Sequence, residues 1–315
     1  MEGPVAGIVG RQVEADPPAG GDDHRTHGYL AARRAVGARS LRRLEQEIEL
    51  TETYADGGLV LSPERIATLS LNRPARRNAM TRSMWQALPD ICDRIAKDKS
   101  IRVLIVHGTG GKAFCAGADI SEFEQTYATA ETTADYNAII RQAQARLRDL
   151  PCVTLAAISG VCFGGGCGVA LACDLRFADE SASFAITPAR LGLAYSPADT
   201  WQLMEKVGVS RAKDMLLSGR VLPPDEALRF GLIDRLSPDA LSAARTYASD
   251  LARLAPAALR ANKAIINGLS LPSTNPQLQA IFEACFSGPE FREGTRAFLE
   301  KRPANFDANL DEVSE

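Results

Sequence analysis

Apolar positions along this chain fall into two kinds of run. Short stretches rich in β-branched residues, at 103–106 and 153–158, read as strands buried on both faces. Ahead of them, 58–71 reads as a hairpin, with Val60 and Leu61 on one arm and Ile66, Leu69 and Leu71 on the other. Elsewhere the spacing is helical. Met84, Leu88, Ile91, Cys92 and Ile95 share one face, Thr81 or Ser83 can cap their helix, and Pro89 predicts a kink or a shortened element. A polar helix is expected over 131–149, ending before Pro151, and short strands over 174–178 and 182–186. Short helices follow over 200–207, 210–217 and 225–230, the last closed by Gly231. From Pro238 the pattern is helical, over 240–254, 256–269, 277–286 and 290–301.

Both buried strand runs lead into glycine. The run at 153–158 passes Gly160 to reach Gly164, Gly165 and Gly166, then a helix of small residues ending near Cys173. The run at 103–106 passes Gly108, Gly110 and Gly111 to reach 113–120, Ala-Phe-Cys-Ala-Gly-Ala-Asp-Ile. A strand that turns through glycine into a helix exposes backbone N–H groups at the positive end of the helix dipole. Such a turn can bind a phosphate, or hold the negative oxygen of a reacting carbonyl. Strands alternating with helices argue for an α/β domain with right-handed crossovers, as a flat doubly wound sheet or as a spiral. No Gly-x-Gly-x-x-Gly opens either helix, which makes a dinucleotide fold a poor fit.

Composition narrows the functional classes. At 315 residues and 45% hydrophobic, the chain can bury one large core or two modest ones. A net charge of −3 gives no reason to expect nucleic-acid binding, and no apolar run approaches the ~18 residues of a membrane span, so no membrane partner is expected. Seven cysteines, odd in number and without a disulfide framework, suggest reduced thiols and a cytoplasmic protein. Only three histidines and no paired Cys-x-x-Cys elements argue against a zinc site. Residues 1–50, rich in Gly, Pro, Arg and acids, read as a disordered N-terminal extension, and their early acids disfavour a transit peptide.

An ordered set of motifs resembles the enoyl-CoA hydratase/isomerase family, the crotonase superfamily. The set comprises Leu71-Asn-Arg-Pro74 with Asn78-Ala79, the Ala-Gly-Ala-Asp-Ile element at 116–120, the Gly-Gly-Gly-Cys turn at 164–167 with Cys173-Asp174, and the tail over 292–306. The resemblance implies a crotonase-like spiral of ββα units over 51–236, followed over 237–315 by a helical trimerisation region that builds homotrimers or hexamers. It implies an acyl-CoA substrate with no further cofactor and no metal. The thioester oxygen would meet the N–H groups of Ala118 and Gly165. CoA would lie along Ala116, Ala118, Asp119, Ile120 and Gly165, with Phe298 and Lys301 reaching it from the C-terminal helix. Asp119 reads rather as an acid that stabilises its turn, and Arg76 or Arg77 could meet CoA phosphates.

The chain departs from the hydratase pattern at two positions. The glutamates that family hydratases carry fall on Gly168 and Pro188 here. Syn-addition of water to an enoyl thioester needs one group to deprotonate water and another to deliver a proton, and glycine and proline do neither. Tyr195, Ser196 and Asp199 are candidates to replace them, although Asp199 could instead cap a helix starting at Thr200 and Tyr195 could line the acyl pocket. Glu122, Glu124 and Tyr127 follow the first glycine turn and are further candidates. Cys167 has no histidine to activate it, His107 reads as a packed or edge residue, and Cys115 and Cys162 as small core residues. The reading is an acyl-CoA-processing enzyme that stabilises a thioester enolate, by hydration with non-standard residues, isomerisation or decarboxylation. The alternative is a non-catalytic acyl-CoA-binding protein.

Overall fold

The computed structural model describes residues 51–270, 283 and 285–305. The chain begins with an antiparallel meander, β1 (Glu52–Tyr54), β2 (Leu59–Ser62) and β3 (Ile66–Leu71), and then α1 (Arg82–Lys97). Three turns of a strand–strand–helix unit follow. The first is β4 (Val103–Gly108) and β5 (Ala113–Cys115), with the short α2 (Phe123–Thr126) and long α3 (Ala130–Arg148). The second is β6 (Val153–Ile158), β7 (Val161–Phe163) and α4 (Gly165–Ala172), and the third β8 (Leu175–Ala178), β9 (Ser183–Ala185) and α5 (Pro197–Val207). Next come α6 (Val209–Ser218), α7 (Pro224–Phe230), β10 (Arg235–Leu236), α8 (Ala240–Leu251), α9 (Pro256–Ser270) and α10 (Pro289–Leu299).

The first strand of each unit joins a seven-stranded sheet of order β1-β2-β3-β4-β6-β8-β10, parallel from β3 onward. The second strand joins a separate parallel sheet, β5-β7-β9. This is the crotonase-like spiral of ββα turns. The period of two explains why the central strands are apolar throughout. Leu104 and Val106 of β4 face the main core, whereas Val103 and Ile105 face a second core capped by Ala240, Ala244 and Ala248 of α8.

Three expectations change. The hairpin at 58–71 carries a third strand, β1. The helix containing Pro89 is one uninterrupted 16-residue element, capped by Thr81, whose Oγ1 accepts from the Met84 N–H at 3.3 Å. Proline in a helix interior costs about 3 kcal/mol. Burial of Met84, Trp85, Leu88, Ile91, Cys92 and Ile95, at ~1.5–3 kcal/mol for a large apolar side chain, outweighs that cost. The strands β5 and β7 lie inside what read as glycine turns, because three residues are too few to display a period. The extension over 1–50 lies outside the described residues. So does most of the helix expected over 277–286, whose end is the 3-10 turn Cys285–Ser287.

Fully buried Asn78 ties the meander to the first unit. Its Oδ1 accepts from the Arg73 N–H at 2.9 Å, and its Nδ2 donates to the Thr109 and Ala113 carbonyls at 3.0 and 2.7 Å. Replacing Asn78 by alanine strands two carbonyls and one N–H, so N78A is expected to lose roughly 2–4 kcal/mol in urea denaturation at fixed protein concentration.

Candidate functional site

The first glycine turn is held from outside by the segment around Asn78. Met80 donates to the Gly117 carbonyl at 2.8 Å and accepts from the Asp119 N–H at 2.9 Å, while Ala116 donates to the Arg77 carbonyl. The bonds on either side leave Ala118 between them as an isolated parallel bridge partner of Met80. Asp119 is a structural acid, as its sequence context suggested. It accepts from the Ser121 N–H and hydroxyl and pairs with Arg73 at 2.8 Å. Burial alone would raise its carboxyl; Ser121 and Arg73 together hold it below the ordinary range.

The second turn is set by Gly164, at φ +50° and ψ −116°, a backbone region that side chains disfavour. Its N–H donates to the Ala185 carbonyl at 2.9 Å, and its own carbonyl accepts from the Tyr195 hydroxyl at 3.2 Å. Burial, reinforced by nearby Asp199, keeps the Tyr195 phenol well above its usual pKa, so it remains a donor. Gly165 then heads α4, where an N–H has no partner within the helix.

Both turns open on one cavity of about 160 Å³. Ala116, Ala118, Ile120, Gly165, Pro188, Tyr195, Ser196 and Asp199 all line it, so most of the candidate residues meet there. A methyl group placed on Gly165 would lie 3.5 Å from the Ala118 nitrogen, so the two amides are neighbours. Neither N–H donates to an acceptor among the described residues. Two such donors can hold a carbonyl oxygen on which charge develops.

Asp199 does not cap a helix at Thr200. The helix α5 starts earlier, and Ser196 caps it by accepting from the Asp199 N–H at 3.1 Å. The Asp199 carboxylate is thereby free to turn inward, accepting the Ser196 hydroxyl at 2.7 Å. It comes to the place where Gly168 leaves room: a methyl at Gly168 would lie 3.2 Å from Asp199 Oδ1 and 2.1 Å from Gln144 Nε2. Burial raises the Asp199 carboxyl to about 6, with Ser196 and Gln144 pulling in the opposite direction. Even so, neither Asp199 Oδ1 nor Gln144 Nε2 closes a hydrogen bond of ordinary geometry.

The lining residues that sequence reasoning did not single out include Trp85 of α1, and Asn137, Arg141 and Gln144 of α3. Asn137, Arg141 and Gln144 are spaced as one helix face, but a buried polar stripe has the same pattern as a solvated one. Tyr127 also lines the cavity, within an aromatic cluster with Phe123, Phe286 and Phe291, and burial raises its phenol. Glu122 accepts from the Arg82 N–H, and Glu124 is exposed and outside the cavity lining. Phe298, 56% exposed, and exposed Lys301 do not line the cavity, nor do exposed Arg76 and Arg77.

The thiols around the turns are packed groups. Cys167 donates to the Cys162 carbonyl, and burial pushes Cys115 up to about 12. His107 shares a 2.9 Å hydrogen bond with Ser70 on the neighbouring strand, away from the cavity, and burial lowers its pKa.

Comparison with known proteins gives a consistent picture. The family model described as enoyl-CoA hydratase/isomerase matches residues 62–309. The 2,3-dehydroadipyl-CoA hydratase of Escherichia coli is 33% identical over 253 residues, with 79% of this chain and 97% of that protein covered. The crotonyl-CoA hydratase of Syntrophomonas wolfei is 31% identical, with 77% of this chain and 95% of that one covered. Among solved structures, an enoyl-CoA hydratase/isomerase family protein from Hyphomonas neptunium is 41% identical, with a TM-score of 0.66 and coverage of 79% of this chain and 97% of that one.

The raised Asp199 pKa has a signed consequence for stability. Between the unfolded value of 3.8 and the folded value of about 6, the native chain holds more protons than the unfolded chain, so stability falls as pH rises through that window. Asp199→Asn removes this titration. The stability of the variant relative to the parent should therefore grow from pH 4 to pH 7 by on the order of 2–3 kcal/mol and level off above, as read by urea denaturation across pH.

Proposed function

The chain belongs to the enoyl-CoA hydratase/isomerase family, and from that premise we propose that it stabilises the enolate of a short acyl-CoA thioester. The Ala118 and Gly165 amides receive the thioester oxygen, and Asp199 moves the proton. The observation that carries this reading is the meeting of two unpaired amides and one buried carboxyl in a single cavity. Above pH 6 the Asp199 carboxylate takes a proton from the carbon α to the thioester. The C–H bond breaks, an O–H bond forms on Asp199, and the electron pair moves onto the thioester oxygen between the two amides. Returning the proton to the α carbon regenerates the thioester; delivering it to a different carbon of an unsaturated chain isomerises the double bond. Hydration by two glutamates is not part of the proposal, since Gly168 and Pro188 stand at those positions.

Tyr195 acts by holding the Gly164 carbonyl, and so the turn that presents the Gly165 amide. Ser196 orients the Asp199 carboxyl. Ala116 and Ile120, which line the cavity, are proposed to border the path of CoA, with Asp119 between them holding the turn, and Phe298 and Lys301, exposed on and just beyond α10, are proposed to meet it from the C-terminal helix. Exposed Ile265, Ile266 and Leu299 support packing of subunits into a homotrimer or hexamer. The six free cysteines among the described residues support a cytoplasmic setting, and no described helix is long and apolar enough to cross a membrane.

Deuterium wash-in at the α position of butyryl-CoA, followed by NMR in D₂O, tests the reading. The parent should exchange the α protons with a rate that rises through pH 6, and D199N should lose about 10²-fold or more. Saturable binding with no exchange would instead support the binding-protein alternative, and exchange unchanged in D199N would remove Asp199 from the chemistry.

A further inference from the structure

The α3 wall of the cavity carries polar groups that the enolate chemistry leaves unused. Asn137 and Gln144 are 5% and 3% exposed, and each has an amide nitrogen with no acceptor among the described residues. Gln144 is accounted for by its place beside Asp199. Asn137 lies seven residues, roughly 10 Å, back along the helix, at the far end of the same face. Arg141 stands between them, one turn from Asn137. It lines the cavity from an exposed position and forms no ion pair or hydrogen bond among the described residues. The same cavity is also lined by Ile140 and by the rings of Phe123, Tyr127 and Phe286.

A buried amide without a partner costs stability unless something in the cavity completes its hydrogen bonding. The Asn137 amide can turn to present its N–H₂ to the cavity, and the adjacent guanidinium adds charge and a planar fork of donors. Donors with a positive charge, with the one lining carboxyl among the described residues held beside Gln144, fit an anionic acceptor of two oxygens. The size agrees. A cavity of about 150 Å³ accommodates a benzene-sized guest of roughly six heavy atoms, and this one measures about 160 Å³.

We propose that Asn137 and Arg141 receive the terminal carboxylate of a short dicarboxylic acyl chain, so that the substrate class is a dicarboxylic acid mono-CoA thioester. The inference rests on the thioester reading above and adds the identity of the far end of the acyl group. Glutaryl-CoA has six heavy atoms beyond its thioester carbonyl, and valeryl-CoA is its counterpart with a methyl group in place of the carboxylate.

The test is the ratio of the two substrates. In α-proton exchange, kcat/KM for glutaryl-CoA should exceed that for valeryl-CoA at least tenfold. Arg141→Leu should lower the ratio at least tenfold, Arg141→Lys should restore part of it, and Asn137→Asp should lower it by placing a like charge at the receptor. A ratio near one in the parent, or one that R141L leaves unchanged, overturns the proposal. Calorimetric binding of the same two thioesters reads the ratio without turnover. Absence of exchange would thus overturn the enolate reading alone, while the binding ratio still decides this one.

Discussion

The site exists because two turns of the spiral touch without side chains between them. A methyl group on Gly166 would fall 2.3 Å from the Cys115 carbonyl oxygen, so α4 can press onto the end of β5 only with glycine at that place. That contact brings the amides of residues 118 and 165 into one another's neighbourhood. The bonds from Met80 on one side and Ala185 on the other then fix each turn to a strand or loop that cannot drift independently. Rigid donors matter more than numerous ones, because a dipole that need not reorient when charge develops costs nothing at the moment of reaction.

Around this fixed pair, the polar groups come from two further helices. Position 168 has no side chain, and the space beside it holds Gln144 from α3 and Asp199 from α5. Burial raises the Asp199 pKa, and a hydroxyl from its own helix cap restrains the rise. Such a carboxyl sits near the pH at which it can both accept and release a proton.

Much of this was legible in the chain. The glycine turns, their order and the buried strands preceding them carry a strong local signature, and the spiral followed from the family resemblance that those motifs carry. The placement of Asp199 was only half legible. Its position suggested a cap, but Ser196 three residues earlier took that role, and only the start of α5 at Pro197 decides between them. Which side chains of α3 face the cavity was not legible. Asn137, Arg141 and Gln144 repeat as they would on any solvated helix, and whether that face meets water or a cavity depends on elements far away in sequence. Pro89 misled for a related reason, since tertiary burial overrode the local penalty.

The order of the large sheet follows the order of the chain, each unit laid against the one before. The cavity draws one amide from the first unit, the other from the second, and its carboxyl from the third. A nascent or truncated chain that stops short of α5 would therefore possess the donors without the acid. A ligand that touched all three coils would bind only the completed stack, and its binding would tie the stability of the last coil to that of the first.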